Sequence, residues 1–86
     1  PTAAIYLDVR SDAEVIQLGT LKDSLHIPLD QLAGRLDELP ADKEIIVFCE
    51  NGIRAEMAYQ TLRSKGMQAR FLNENTHFDD QGNIKL

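Results

Sequence analysis

Four consecutive apolar residues, Ile45-Ile46-Val47-Phe48, limit what this chain can fold into more than any other part of its sequence. β-branched and aromatic side chains favour strands, and an unbroken apolar run, in contrast to an alternating one, indicates that both faces of the strand are buried. Such strands are typical of the centre of a parallel sheet. The run therefore predicts an α/β domain whose central strand lies under helices.

Three other short segments are predicted to be strands. They are Ile5-Tyr6-Leu7, Leu25-His26-Ile27 and the segment from Ala69 to Leu72. Pro28 supports the second of them, because a residue that precedes proline is driven out of the helical region. The stretch from Asp79 to Leu86 is polar, and we expect a turn followed by a short tail there.

Helix signals fill the segments between these strands. A capping box at Ser11 and Glu14 predicts the start of a first helix, which Gly19 is free to end in the left-handed conformation. Two further helices are predicted from apolar residues spaced three and four apart; Pro40 ends the first and Gly66 ends the second. Their apolar faces comprise Leu29, Leu32, Leu36 and Leu39, and then Ala55, Ala58, Tyr59 and Leu62.

The order βαβαβαβ predicts a three-layer α/β domain with a small, mostly parallel central sheet flanked by helices. The chain has 86 residues, 43% of them apolar, and no segment that resembles a linker, so a single domain is predicted over residues 1–86. A domain of this size buries roughly 60% of the surface of its unfolded chain, enough to fold without a metal or a disulfide.

Charge and cysteine content exclude several classes of function. The net charge of −5 would repel nucleic acid and anionic membranes, and we expect neither as a partner. One cysteine cannot form an internal disulfide, and no spacing of Cys and His predicts a metal site, so we expect no metal and no cofactor. A lone thiol favours the cytoplasm. A periplasmic location would require that an N-terminal signal has been removed. The chain begins with Pro1 and lacks an initial Met, which fits a processed protein, a trimmed one or a domain cut from a longer chain.

The single cysteine, Cys49, directly follows the apolar run. Ligands of open α/β sheets collect at the carboxyl ends of the strands, where Cys49 is placed. A tight turn over residues 50–53 then leads into the third helix, so backbone N–H groups should converge near the sulfur and favour the thiolate. Arg54 adds a permanent positive charge. These parts predict an anion cradle with a nucleophile at its base.

Cys-x-x-Gly-x-Arg after an apolar strand resembles the active-site loop of the rhodanese family of sulfurtransferases. Two more segments resemble that family and stand in the same order along the chain. They are YLDVRS, residues 6–11, and LHIPLDQL, residues 25–32. The resemblance extends over about residues 5–72, whereas residues 73–86 diverge. It implies a rhodanese-like fold and a sulfurtransferase activity.

The resemblance further implies that Cys49 is the catalytic residue. It would take a sulfane sulfur from thiosulfate, a polysulfide or another persulfide, and pass it to a thiol or to cyanide. Loop N–H groups would stabilise the terminal sulfur, and an arginine would orient the small anionic donor. Asp8 and Arg10 would brace neighbouring loops and take no part in the chemistry. The substrate-binding residues would be Glu50, Asn51, Gly52, Ile53 and Arg54.

The chain also departs from the family pattern. Many members have Gly-His-Ile followed by Gly-Ala where this chain has Gly19-Thr20-Leu21 and Asp23-Ser24, and His26 stands where Asn is usual. The two adjacent glycines that many members carry near the C-terminus are missing from residues 72–78. Glu50 follows the nucleophile directly, and its charge opposes both the thiolate and a doubly charged donor such as thiosulfate.

Three other functions stay open. The domain could be the sulfur-relay part of a larger redox enzyme, either fused or docked to it. It could be a non-catalytic interaction module, although such modules typically lack the cysteine. A cysteine-dependent phosphatase uses a similar loop, but the resembling phosphatase families place one more residue between Cys and Arg. His26 and His77 are interpreted as surface or loop residues, because a persulfide relay needs no proton shuttle from histidine.

Overall fold

A computed structural model describes residues 3–72 of the chain, together with residues 77–78 and 84–85. Four strands form one parallel sheet in the order β2-β1-β3-β4, so the predicted α/β fold with its central apolar strand is confirmed. The strands are β1 (Ala4–Asp8), β2 (Leu25–His26), β3 (Glu44–Phe48) and β4 (Ala69–Phe71).

The register of β1 and β3 sorts their side chains between the two faces of the sheet. Leu7 lies opposite Val47, and Asp8 lies opposite Phe48. Successive side chains of a strand point to opposite faces, so Leu7 and Val47 share one face while Asp8 and Phe48 share the other. The first face carries the main apolar core, and on the second Tyr6 packs edge-on against Phe48, with ring centroids 6.4 Å apart.

The helices are α1 (Asp12–Leu18), α2 (Leu29–Leu32) and α3 (Ile53–Ser64). Right-handed crossovers in a sheet of this order put α1 on one face and α2 with α3 on the other. The apolar residues of α3 and of the segment that follows β2 cover the main core, and those in the buried core cluster are Ile27, Leu32, Leu39, Ala55, Ala58 and Leu62. Within the described residues, no helix is long and apolar enough to cross a membrane.

The prediction of one continuous helix up to Pro40 is wrong. The segment divides into α2 and a 3₁₀ helix over Leu36–Glu38. Gly34 lies between the two, and glycine disfavours a helix because it loses more backbone entropy there than any other residue. The next residue, Arg35, leaves the helical region with φ −130° and ψ 22°. The apolar spacing identified the buried side chains correctly, because Leu32 and Leu39 still reach the core from either side of the break.

The capping box of α1 is confirmed. The Ser11 hydroxyl accepts a hydrogen bond from the backbone N–H of Glu14 over 3.3 Å, and the Glu14 carboxylate accepts one from the backbone N–H of Ser11 over 2.9 Å. The helix ends at Gly19 as predicted, but with φ 77° and ψ 175° Gly19 is more extended than the left-handed cap expected. This conformation directs the Gly19 carbonyl to Arg10, whose Nη2 donates to it over 2.6 Å.

Beyond the sheet, β5 (His77–Phe78) and β6 (Ile84–Lys85) pair as a small antiparallel unit. The expected short tail is therefore wrong for Ile84–Lys85, which form a strand. His77 lies in β5, so of the two alternatives predicted for it, surface or loop, the loop is wrong. The turn predicted from Asp79 onward, and most of the stretch in which the family's two glycines are missing, lie outside the described residues.

Candidate active site

Cys49 lies one residue beyond β3, at the carboxyl edge of the sheet. The neighbouring strand continues alongside it, since the N–H of Val9 donates to the carbonyl of Phe48 over 3.2 Å. Cys49 is a free cysteine with no solvent exposure, and it packs in the same core cluster as Ala55. Its side chain therefore points toward α3 and lies beneath the loop that follows it.

Two backbone N–H groups donate hydrogen bonds to the Sγ of Cys49. The N–H of Gly52 lies 3.1 Å from it and the N–H of Ala55 lies 3.3 Å from it. Ala55 is the third residue of α3, and the first N–H groups of a helix have no partner within the helix. The cysteine sulfur thus occupies the position that the side-chain oxygen of a capping residue would take.

Ala55 was missing from the predicted cradle, which covered residues 50–54. The signal for it was present in the sequence, because a helix that begins just after Gly52 must leave the N–H of its third residue unpaired. Gly52 adopts φ 91°, in the left-handed region that favours glycine, and this conformation turns the loop back over the sulfur.

The other predicted loop residues do not contact the sulfur. Glu50 and Asn51 are exposed, and the side-chain oxygen of Asn51 accepts a hydrogen bond from the backbone N–H of Ile53 over 3.2 Å. Asn51 therefore braces the turn. The Ile53 side chain is 64% exposed and, with Met57 one helical turn further along, forms an apolar patch on α3 beside the loop.

Arg54 reaches across the carboxyl edge of the sheet to the first turn of α1. Its Nη1 and Nη2 donate to Oε1 and Oε2 of Glu14 over 2.6 Å and 2.8 Å, which is a two-pronged pair between groups 40 positions apart. Hydrogen bonds from Arg54, with others from Ser11, lower the pKa of Glu14 from 4.5 to about 2. Only the capping-box role of Glu14 could be predicted, since pairing with Arg54 depends on how the helices meet.

The charge on Arg54 also acts on the loop. The hydrogen bonds to Glu14 raise the pKa of the Arg54 guanidinium, and the negative charges of Glu14, Cys49 and Glu50 raise it further. The Arg54 side chain is 33% exposed.

Asp8 and Arg10 form a buried ion pair, with Nη2 of Arg10 2.8 Å from Oδ2 of Asp8. The hydroxyl of Thr20 donates to the same oxygen over 2.7 Å. Together with the bond from Arg10 to the Gly19 carbonyl, these contacts fasten the end of α1 to the end of β1. Asp8 lies on the face of the sheet opposite to the main core, into which Cys49 packs.

His26 also contacts this segment. Its Nε2 lies 2.7 Å from the carbonyl oxygen of Arg10, and its Nδ1 lies 3.7 Å from the exposed carboxylate of Asp12. The side chain is half-buried, so the prediction of a surface residue is only partly right. Its ring nitrogens face a backbone carbonyl and a carboxylate, and no contact joins it to the cysteine within residues 3–72.

A cavity of about 440 Å³ opens beside the loop, between the start of α1 and the start of α2. Arg54 contributes one wall of the cavity, whereas Cys49 does not line it. Among residues 3–72 no group of three or more His, Cys, Asp and Glu side chains could hold a metal ion. The cavity is lined by Val9, Ser11, Asp12, Pro28, Leu29, Asp30, Gln31 and Arg54.

Comparison with known proteins gives concordant matches. A family model described as the rhodanese-like domain matches residues 2–76. A protein named sulfurtransferase from Allochromatium vinosum is 32% identical over 69 residues, which cover 80% of this chain and 63% of that protein. The chain thus spans less than two thirds of this relative's length.

Solved structures show the same fold. An NAD-dependent persulfide reductase from A. fulgidus superposes with a TM-score of 0.72 and 37% identity, over 87% of this chain and 14% of that one. A rhodanese-like domain protein from Staphylococcus aureus superposes over the whole chain and 85% of its own, with a TM-score of 0.84. At 22% identity, that second likeness concerns the fold alone.

Proposed function

Because this chain belongs to the family of rhodanese-like domains, we propose that it is a sulfurtransferase that carries a sulfane sulfur on Cys49. One observation carries the proposal: the N–H groups of Gly52 and Ala55 both donate to the Sγ of Cys49. Donors fixed in this way stabilise negative charge on sulfur without having to reorganise during the reaction. The relative from Allochromatium vinosum that is named sulfurtransferase supports it.

In the first half-reaction, the Cys49 thiolate attacks the outer sulfur of a donor such as R–S–SH or thiosulfate. The S–S bond of the donor breaks, its electron pair leaves with RS⁻ or sulfite, and Cys49 holds the transferred sulfur as a persulfide. Negative charge that sits on Sγ before the attack passes to the outer sulfur. The N–H groups at the start of α3 stabilise both positions of the charge.

In the second half-reaction, an acceptor thiolate or cyanide attacks the outer sulfur of the persulfide. The bond from that sulfur to Sγ breaks, and Cys49 leaves as a thiolate that again accepts hydrogen bonds from Gly52 and Ala55. The two half-reactions together move one sulfur atom and balance in electrons. Donor and acceptor therefore react in turn, through one site.

Access to Cys49 requires the loop to move. The residue has no solvent exposure, and the loop that follows it begins with the exposed residues Glu50 and Asn51. A displacement of this short turn opens a path to Sγ, while the hydrogen bond from Ala55, which belongs to α3, can persist. The hydrogen bond from the N–H of Ile53 to Asn51 lies within this turn, and we propose that it breaks when the turn opens.

A second candidate is a sulfur-relay role within a larger redox enzyme. The similarity to the persulfide reductase from A. fulgidus favours it, since that protein is 37% identical to this chain but is several times longer. The chemistry at Cys49 would be the same, and the acceptor would be a thiol on another domain or partner. A cyanide or small-thiol acceptor would then react more slowly than the partner thiol.

The test is an intact-mass measurement after incubation with thiosulfate and, separately, with polysulfide. We expect a gain of one sulfur, about 32 Da, that cyanide removes and that the Cys49→Ser variant does not show. If the wild type gains no sulfur from either donor, the enzyme proposal is wrong and a non-catalytic interaction module takes its place. Pre-incubation of the protein with a reductant ensures that the thiol is free at the start.

A further inference from the structure

The guanidinium of Arg54 is already paired with a carboxylate. Both terminal nitrogens donate to Glu14, one to each oxygen. This is the geometry in which arginine binds a carboxylate most strongly, and it is also the geometry with which arginine binds an oxyanion ligand. A thiosulfate dianion that uses Arg54 must therefore displace Glu14 or accept hydrogen bonds from the N–H groups that Glu14 leaves unused.

Glu14 is itself held in place. Its Oε1 accepts from the backbone N–H and the hydroxyl of Ser11, over 2.9 Å and 3.0 Å, in addition to the bond from Arg54. It belongs to the first turn of α1, where the helix dipole favours a negative charge. The carboxylate is thus kept beside Arg54 by the capping box, and it does not depend on the ion pair alone for its position.

The pairing changes the charge that an incoming donor meets. Arg54 and Glu14 cancel each other, and Glu50 adds a negative charge close enough to Arg54 to raise the pKa of its guanidinium. The attack on the donor also needs Cys49 as a thiolate, which adds another charge of the same sign. The mouth of the site is therefore neutral to negative, although the Cys-x-x-Gly-x-Arg motif alone would suggest a positive one. Repulsion grows with the charge of the donor.

We propose that Glu14 is a specificity-determining residue: by neutralising Arg54 it disfavours dianionic donors and selects persulfides of low net charge. The inference rests on the proposed function, because it concerns which donor loads Cys49. Glu14 acts through Arg54, with which it pairs, and has no direct role at the reacting sulfur. In a partly solvated site, removing one unit of charge several ångströms from the donor should change the rate by about threefold for each unit of charge that the donor carries.

The experiment compares Glu14→Gln with wild type using two donors, thiosulfate and the hydropersulfide of cysteamine, whose ammonium group offsets its sulfur charge. Glutamine keeps one acceptor oxygen for Ser11 and one nitrogen of Arg54, and it removes the negative charge and the second acceptor. We expect kcat/KM for thiosulfate to rise about tenfold and kcat/KM for the hydropersulfide to change by less than about twofold. Cyanide serves as the common acceptor.

Glu44→Gln is the matched control. Glu44 also pairs with an arginine, Arg70, over 3.1 Å, but it begins β3 and so lies at the opposite edge of the sheet, roughly 16 Å from Cys49. Its donor preference should equal that of wild type. Arg54→Gln should have the opposite effect to Glu14→Gln, because it leaves the charge of Glu14 unneutralised. Its kcat/KM for thiosulfate should fall about tenfold relative to that for the hydropersulfide.

Salt dependence separates charge from a structural effect of the substitution. Screening should raise the thiosulfate rate of wild type with increasing ionic strength and have a smaller effect on Glu14→Gln. If Cys49 is loaded by both donors but Glu14→Gln leaves their ratio and its salt dependence unchanged, the proposal is overturned while the sulfurtransferase function stands. If neither donor loads wild type or variant, the proposed function fails, and this inference fails with it.

Discussion

The backbone N–H of Gly52 lies 3.1 Å from the Sγ of Cys49, and it reaches that position because Gly52 has φ 91°. An alanine in this conformation is strained by about 1–2 kcal/mol. Gly52→Ala should therefore relieve the strain by moving the N–H away from the sulfur, and persulfide should form on Cys49 more slowly. Single-turnover intact-mass kinetics with polysulfide measure this rate.

Gly66→Ala is the control for that variant. Gly66 also has a positive φ, 79°, and a Cβ there would meet no atom within 4 Å, but it follows the far end of α3. The two substitutions should lower the free energy of unfolding by similar amounts, and only Gly52→Ala should slow persulfide formation. Equal loss of rate in both would mean that the N–H contact has no catalytic part.

The buried ion pair predicts a large loss of stability without a direct effect on the chemistry. Asp8→Ala removes the carboxylate that Arg10 and Thr20 contact, and breaking a buried pair on one side costs about 3–5 kcal/mol. Urea unfolding monitored by circular dichroism measures the loss. Glu44→Gln, which disrupts an ion pair with a largely exposed arginine, should cost less than about 1 kcal/mol.

The folded fraction of Asp8→Ala should still form the persulfide, since Asp8 lies on the other face of the sheet from the core around Cys49. A folded variant that has lost persulfide formation would give Asp8 a role in the chemistry that its position does not predict.

The pair between Glu14 and Arg54 predicts a definite dependence of stability on pH. The pKa of Glu14 is lowered to about 2 in the folded chain, so the stabilisation is complete above the ordinary value of 4.5 and is lost as the pH falls through about 2. Both side chains are partly exposed, which limits the contribution to about 1 kcal/mol.

Urea titrations of wild type and Glu14→Gln at a series of pH values test this. Wild type should be the more stable by about 1 kcal/mol at pH 7, and the difference should shrink once the pH is below 4.5. A difference that instead grew toward acid pH would contradict the pairing.

The closed loop predicts slow alkylation of the native thiol. Asn51→Ala removes the oxygen that accepts from the N–H of Ile53, a bond worth about 1 kcal/mol, so the loop should open about five times more often. Reaction of Cys49 with iodoacetamide, followed by mass spectrometry, should accelerate by that factor. Asn51→Asp retains an acceptor oxygen and should alkylate close to the wild-type rate; acceleration in both variants would show that the bond does not hold the loop.

Much of the fold could be predicted because its signals are local. The apolar run of β3, the capping box at Ser11 and the glycine that ends α1 each act within a few residues of themselves. Gly34 is also a local signal, for a break, but the regular spacing of the leucines predicts a continuous helix across it. Spacing reports which side chains are buried, and it does not report whether the backbone between them stays helical.

The features of the site likewise divide into those that follow from local sequence and those that depend on long-range contacts. The position of Cys49 at the carboxyl end of the central strand follows from the order of the elements, and the N–H of Ala55 follows from where α3 begins. The pairing of Arg54 with Glu14 joins two helices that lie on different faces of the sheet. No pattern in the sequence specifies that contact, because it depends on the tilt and the separation of both helices.

The position of β1 between β2 and β3 has a consequence for how the site comes into being. Ile5 pairs with Ile45 across a separation of 40 residues, so the centre of the sheet cannot form from neighbouring segments of the chain. Pairing at such long range is slow, because the loop must close before the contacts can stabilise it. The turn over Cys49 is held by local hydrogen bonds, but the core in which its sulfur is buried includes Leu7, which reaches that core by the pairing of β1 with β3. We therefore expect the thiol to stay reactive toward electrophiles during refolding until β1 has paired with β3 and the core has closed over the sulfur.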